Sequence, residues 1–428
     1  MNRQDNPPNN TTPKHETPPG YEGWQRRTAA FLGGQAVSLF GSSLVMYAMI
    51  WYVTLQTKSG VLIAVSTLCS FAPQIVVSLF AGVWADRYNR KKLIIYADAG
   101  IALATLVLAV AFLLGRGQLW MIFVVSAVRS LGSGIQSPAI AAMVPQLAPP
   151  DKLMRVNGIQ GTVQSVVMLA SPAVSGALFY MARLEIIFFI DVVTAIIAIA
   201  ILLAIPIAAH AKAAQGQNTG YLDDLKAGIR YVRDNCFVRS LLRFFGVVMF
   251  LAVPVALLSP LMVTRTFGEE VWRLTLIEMF FSVGMTVGGL VVAVWGGFRN
   301  RVLTLMVSCA ALGVLTLAVG LTAAWFWVLG ALMALTGLVL PFYNTASMVL
   351  LQQRVPGDMQ GRVFSFVSLV TVAAMPVGTF LFGPLADWLS VQTLLIITGA
   401  LMVVAGGISW FDRNLHLEEI TQHFTAGE

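Results

Sequence analysis

The chain is predicted to be an all-α membrane protein with twelve spans, on three observations: an extreme apolar composition, span-length apolar runs along its whole length, and basic residues gathered on one side. Of 428 residues, 57% are hydrophobic and 11% charged, against roughly 45–50% and about 25% in ordinary soluble domains. A water-soluble globule is thereby excluded. A span needs about 20 mostly apolar residues, because the hydrocarbon layer is about 30 Å thick and a helix rises about 1.5 Å per residue. The runs are continuous rather than alternating, and backbone groups in lipid must pair within their own segment, so helices are favoured over a barrel.

Charged or turn-forming breaks divide the first half into runs at 28–55, 60–84, 93–115, 119–147, 156–181 and 185–208. Lys58-Ser59-Gly60 closes the first, and Asp86-Arg87 with Arg90-Lys91-Lys92 separates the second from the third. Gly115-Arg116-Gly117, Pro149-Pro150-Asp151 and Arg183 provide the next three breaks. The second half holds 242–264, 272–296, 302–321, 323–352, 362–386 and 391–411. Its breaks are Arg265, Gly296-Gly297, Thr322, Arg354 to Pro356 and Asp387.

An even number of spans puts both termini on one face. Short cytoplasmic loops retain Lys and Arg during insertion. With the termini inside, only Lys58, Arg116, Arg183, Arg265 and Arg273 of the 27 Lys and Arg residues fall outside, and Arg129 lies within a span. The opposite orientation, or an odd number of spans, scatters these charges. The net charge of +7 is therefore read as a topology signal and not as a nucleic-acid surface.

Five regions follow. Residues 1–27 are expected to be a disordered cytoplasmic tail, since Met1 to Gly20 has neither the apolar core nor the cleavage site of a secretory signal. Residues 28–208 form an N-terminal bundle of six helices, 241–411 a C-terminal one, and 412–428 a second cytoplasmic tail. The intervening 209–240 is a cytoplasmic linker, in which Leu222, Leu225, Ile229 and Val232 recur at the spacing of an amphipathic surface helix; a plain linker is the other reading.

The segment Gly82-Val83-Trp84-Ala85-Asp86-Arg87-Tyr88-Asn89-Arg90-Lys91-Lys92 carries more information than a basic loop requires. Gly82 permits close helix approach, Asp86 sits at a helix end, and Arg87, Arg90 and Lys91 can pair with acids or cap neighbouring carbonyls. Such a charged latch is made when the inner side closes and broken when it opens. The string resembles the loop signature of the major facilitator superfamily. That resemblance implies two six-helix bundles, a central cavity and rocking between inward and outward states. Asn89 replaces the usual glycine and tolerates a left-handed turn, and Gly296-Gly297-Phe298-Arg299-Asn300-Arg301 in the second half lacks the aspartate.

Further strings resemble Mef-type macrolide efflux proteins over about 30–415. They are Gly34-Gln35-Ala36-Val37-Ser38-Leu39, Ala97-Asp98, Val128-Arg129-Ser130, Ser137-Pro138-Ala139, Ser171-Pro172-Ala173-Val174 and Ile190-Asp191-Val192. Pro341-Phe342-Tyr343, Gly361-Arg362-Val363-Phe364-Ser365 and Ala374-Met375-Pro376 continue the likeness. Related exporters of siderophores and lipids share several of these strings.

Ionisable groups in hydrocarbon cost from about 2.5 to over 10 kcal/mol, so each one requires a reason. Arg129 resembles the family's buried fourth-helix arginine, which implies proton or conformational coupling; a static ion pair is the alternative. Asp98, one turn from the cytoplasmic end of its span, is expected to partner the latch cations. Asp191 and Glu278 lie about two turns inside the outer ends of their spans, where desolvation disfavours a charged carboxylate, as a proton carrier requires. Helix-end pairing is the other reading of Asp191, and recognition of a cationic, greasy substrate the other reading of Glu278.

The resemblance places the cavity wall on the first, fourth, seventh and tenth spans. Candidate lining groups are Gln35, Ser38, Tyr47, Trp51, Phe342, Tyr343 and Asn344, with Glu278 added from the eighth span. Pro172 and Gly176 lie in a segment resembling the Gly-Pro signature of drug antiporters and are expected to form a helix hinge; Gly383 to Asp387 looks like an outer echo of the latch.

Hydrolase, P-loop and zinc-protease patterns are absent, the histidines lie in tails or loops, and Cys69, Cys236 and Cys309 are far apart, so no enzyme, cofactor or metal site is expected. The resulting expectation is an inner-membrane antiporter, functional as a monomer, that exchanges protons for a small amphipathic substrate, with macrolides leading. A siderophore exporter, a lysophospholipid flippase and a non-transporting scaffold or sensor are the alternatives.

Overall fold

The computed structural model describes residues 23–149, 152–181, 183–206, 230–298, 300–322 and 325–411. The C-terminal tail, residues 1–22 of the N-terminal tail and 207–229 of the linker region lie outside the described residues; of the expected 1–27 tail, Trp24 to Arg27 instead belong to the first helix, and of the expected amphipathic linker helix Val232 is described and buried. Among those described, twelve helices are long and apolar enough to cross a membrane. The first six are α1 (Trp24–Thr57), α2 (Gly60–Arg87), α3 (Arg90–Leu113), α4 (Leu119–Leu147), α5 (Leu153–Met181) and α6 (Leu184–Ala204). The second six are α7 (Cys236–Phe267), α8 (Val271–Trp295), α9 (Arg301–Leu321), α10 (Phe326–Arg354), α11 (Gly357–Trp388) and α12 (Val391–Phe411).

All twelve expected spans are present; several overrun their apolar runs, while the third and sixth end short of theirs, at Leu113 and Ala204, and the tenth begins late, at Phe326. Helix α1 begins at Trp24 and includes Arg26 and Arg27, while α7 begins at Cys236 and includes Arg239 and Arg243. A helix does not stop where hydrocarbon stops; long basic side chains keep their charges in the wet interface. The ends are instead set by caps. Asn235 accepts the Val238 amide at 3.0 Å, and Asn300 accepts the amides of Val302 and Leu303 at 2.9 and 3.1 Å. Asn89 caps α3 in the same way, accepting the Lys92 amide at 3.2 Å with φ −67°. It takes an extended conformation, and capping the following helix holds it there.

Each half packs as a six-helix bundle, and the buried residues show where the bundles meet. One core gathers Leu44, Trp51, Ile63 and Phe188 of the first half with Val255, Leu258, Ile277 and Ala386 of the second. All of these lie towards the face away from the termini. At the terminus face the cores are separate, one built around Phe31, Ile94 and Met143 and the other around Leu241, Leu305 and Leu350. The bundles are thus joined at one face by α2 against α11 and α5 against α8.

Small residues make these approaches possible, since lipid gives helices no hydrophobic drive to associate and tight packing must supply it. A Cβ on Gly176 of α5 would overlap Thr275 of α8, and one on Gly60 of α2 would meet Ala386 of α11 at 2.8 Å. Within the second bundle, Gly284 and Gly288 of α8 face the carbonyls of Ala334 and Leu338 of α10, and Gly337 faces Phe281. Backbone cannot give way as a side chain can. Gly337→Val is therefore expected to destabilise the detergent-solubilised protein by about 1–3 kcal/mol, checked by thermal unfolding against Gly289→Ala, whose added Cβ meets open space.

Candidate functional site

Helices α1, α3, α4 and α6 place a polar network inside the N-terminal bundle. Arg129, ten residues into α4, forms an ion pair with Asp191 of α6 and bonds the Thr105 hydroxyl of α3 and the Ser42 carbonyl of α1. Asp191 is 1% exposed and also accepts the Ser42 hydroxyl at 3.1 Å. Gly41 permits this, because a Cβ there would lie 3.2 Å from the Asp191 Cα. One guanidinium thus ties four helices together, and its planar fork is what allows it. The sequence indicated both residues; the structure brings them together as a pair.

Asp98 is 3% exposed and points into the same bundle. Its Oδ1 accepts the Ser38 hydroxyl of α1 at 3.4 Å and the Gln136 amide of α4 at 2.7 Å, and its Oδ2 has no partner among the described residues. The expected pairing with latch cations is corrected: Asp98 falls on the buried stripe of Ile94, Ile101, Thr105 and Leu108, which turns it inward. The latch cations serve helix ends instead. Arg90 donates to the Ala142 carbonyl of α4 at 2.7 Å, and Lys91 donates to the Leu203 and Ile205 carbonyls at the end of α6 at 3.0 and 2.9 Å. Gly82, Asp86 and Arg87 close α2, and their side chains lie outside the described residues. In the second half, Arg301 turns back onto the Gly296 and Phe298 carbonyls of its own loop.

Glu278 of α8 is half-buried, and its charge acts on Tyr47 of α1. Among the described residues it makes no hydrogen bond or ion pair. The aromatic candidates divide. Tyr47 is half-buried and Phe342 packs edge-on against Trp295, whereas Trp51 and Tyr343 are fully buried in helix packing. Among the described residues the Trp51 indole nitrogen and the Tyr343 hydroxyl have no hydrogen-bond partner. Ser38 is likewise committed to Asp98, so Ser38, Trp51 and Tyr343 do not line a cavity in this conformation. Gln35 is half-buried and Asn344 exposed. Pro172 sits within α5 one turn before Gly176, at the contact with α8.

At the face away from the termini a second network joins the bundles. Asp387, at the end of α11, accepts the Ser59 hydroxyl at 2.7 Å and the Gly60 and Val61 amides at 2.6 and 3.0 Å, capping α2 from the other bundle. Arg265 of α7 completes it, donating to Asp387 at 2.8 Å, to the Ala386 carbonyl at 2.6 Å and to the Lys58 carbonyl at 2.6 Å. Lys58 in turn pairs with Glu269. The sequence marked Asp387 as an echo of the latch and missed its partners; Arg265 reads there only as a charge on the outer side.

A twelve-helix membrane fold in two bundles, joined at one face and carrying buried ionisable groups, is the architecture of a membrane transporter. The family model of the Major Facilitator Superfamily matches residues 31–379, and the chain belongs to that family. It is a multi-pass membrane transporter, not an enzyme. It is 30% identical to macrolide efflux protein A of Streptococcus pyogenes over 384 residues, 90% of this chain and 95% of that one. It is 31% identical to the protein of the same name from Enterococcus faecalis over 313 residues, 73% of this chain and 97% of that one. Among solved structures it resembles the nucleoside transporter NupG, with TM-score 0.67 and 15% identity, covering 90% of this chain and 98% of that one. A bacterial homologue of the iron transporter ferroportin in an inward-facing state gives TM-score 0.66 at 17% identity, covering 91% and 99%.

Proposed function

We propose that the protein exports a bulky amphipathic drug, a macrolide in the first instance, by proton antiport with alternating access. It does so across the bacterial cytoplasmic membrane with both termini inside. The observation that carries this reading is the likeness to macrolide efflux protein A along nearly the whole of both chains. Two features support it. Glu278, half-buried and without a hydrogen bond or ion pair among the described residues, suits an amphipathic cation whose charge the carboxylate offsets. The joined outer face and separate inner cores suit the half of a transport cycle in which substrate enters from the cytoplasm.

The cycle then runs as an exchange. A macrolide bearing a protonated amine binds between the bundles, the inner side closes, and the drug leaves outward as a proton returns to a buried carboxylate. In pump-deficient cells carrying the protein, labelled erythromycin is expected to accumulate less than in cells without it, and a protonophore is expected to abolish the difference. Glu278→Gln is expected to weaken export of cationic macrolides by roughly tenfold, the effect of about 1.4 kcal/mol of lost binding, and to spare uncharged ones more. Unchanged accumulation with good expression sinks the macrolide reading and directs the search to siderophores and lysophospholipids.

A further inference from the structure

We propose that Asp98 holds a proton in this conformation and that Asp98, Ser38 and Gln136 form a proton-binding site separate from the Arg129–Asp191 pair; this deepens the proton-coupled reading and rests on it.

The first argument is local. Ser38 and Gln136 both donate to Oδ1, and the buried Oδ2 has no partner among the described residues. An ionised carboxylate with one oxygen bare and no cation beside it bears the full cost of a buried charge. A protonated one leaves only a neutral hydroxyl unpaired, a far smaller penalty.

The second argument is charge balance across the bundle. Away from the helix ends, the described interior of α1 to α6 holds two carboxylates, Asp98 and Asp191, and one guanidinium, Arg129. Arg129 is committed to Asp191. Of the groups on α4 and α6, which pack against α3, it is the Asp191 carboxylate whose charge reaches Asp98; Glu185 lies at the outer end of α6, and Arg26 and Arg27 lie in the first turn of α1. Arg90 on α3 itself is occupied at Ala142. Two carboxylates sharing one cation need one proton for neutrality, and the one without the cation takes it.

The third observation links the sites. Ser38 and Ser42 lie one turn apart on α1, the first donating to Asp98 and the second to Asp191. A hydroxyl both donates and accepts, so α1 presents a short polar track between the carboxylates. Any shift of α1 during bundle rocking alters both contacts at once. The proton on Asp98 and the ion pair of Asp191 are thereby coupled to one moving helix.

The test uses the full-length protein in lipid vesicles and infrared spectroscopy of the carboxylic acid C=O stretch, which needs no substrate. Wild type is expected to show a band from a protonated, buried carboxyl that Asp98→Asn removes and Glu278→Gln, in the other bundle, leaves in place. Gln136→Leu, which deletes one donor to Oδ1, is expected to shift the same band. Asn is nearly isosteric with a protonated Asp and accepts the same two hydrogen bonds, so Asp98→Asn is expected to retain energy-independent exchange of erythromycin while losing accumulation driven by a proton gradient. A band unchanged in Asp98→Asn, no such band in wild type, or gradient-driven accumulation surviving in Asp98→Asn would each overturn the assignment. Wild-type vesicles that show the band but move no erythromycin would sink the macrolide reading alone.

Discussion

Arg129→Ala is expected to abolish export and to lower the melting temperature of the detergent-solubilised protein on the order of 10 °C, because deleting one partner of a buried pair costs about 3–5 kcal/mol. The cost falls on Asp191, which would remain 1% exposed with a charge that only the Ser42 hydroxyl answers. The double variant Arg129→Ala, Asp191→Asn separates folding from function. Removing both charges leaves no orphan, so stability is expected to return towards wild type while transport stays absent. Arg129→Lys keeps the charge and is expected to fold, yet a single ammonium cannot span Thr105, Asp191 and the Ser42 carbonyl as the guanidinium does. Export that survives in the double variant would reduce the pair to a structural staple of α1, α3, α4 and α6 and remove it from the coupling machinery.

The membrane fold was legible because hydrocarbon imposes one simple demand, a long run without charge, and each break in the pattern is a residue that hydrocarbon rejects. Single functional candidates were legible for the same reason: Arg129, Asp191, Glu278 and Asp98 stand out within apolar runs. Their partners did not stand out. Nothing in the spacing along a chain says which helices become neighbours, so Arg129 and Asp191 were visible as two anomalies and not as a pair. Asp98 went to the wrong partner because Arg90 and Lys91 are close in sequence, whereas its neighbours are Ser38 and Gln136 on other helices. The stripe of Ile94, Ile101, Thr105 and Leu108 on α3 was the available clue. Gln136 carried no signal, being neutral.

Trp51 and Tyr343 were misplaced for a different reason, while Tyr47 and Phe342 stay half-buried. In a helix that is apolar all round, periodicity does not distinguish the face towards a neighbour from the face towards a cavity or lipid. Trp51 and Tyr343 were singled out as amphipathic rings, and that property alone cannot say whether the ring packs or binds. Both turn out fully buried, with their polar atoms unpartnered.

Asp387→Ala is expected to release the closed face away from the termini, giving roughly tenfold or greater labelling, from that side, of a cysteine introduced at Leu62 in a background without Cys69, Cys236 and Cys309. Asp387 is the point at which four donors converge: the Ser59 hydroxyl, the amides of Gly60 and Val61, and the Arg265 guanidinium. Charge-assisted hydrogen bonds contribute about 1.5–3 kcal/mol each, and about 1.4 kcal/mol suffices for a tenfold change in population. The first-turn amides of α2 also carry the positive end of its dipole, which the carboxylate offsets. Exchanging the two charges, with Arg265→Asp and Asp387→Arg, is therefore not expected to restore closure, because a guanidinium has no acceptor for the α2 amides. Arg265→Ala added to Asp387→Ala is expected to change little beyond the single variant, since both remove one shared network. Labelling that stays at the wild-type rate in Asp387→Ala would show that the apolar contacts of Gly60, Ala64, Gly383 and Ala386 close this face alone. A rise in labelling, accompanied by loss of gradient-driven export, would identify the trans-cap of α2 as the contact that must form and break once in every cycle.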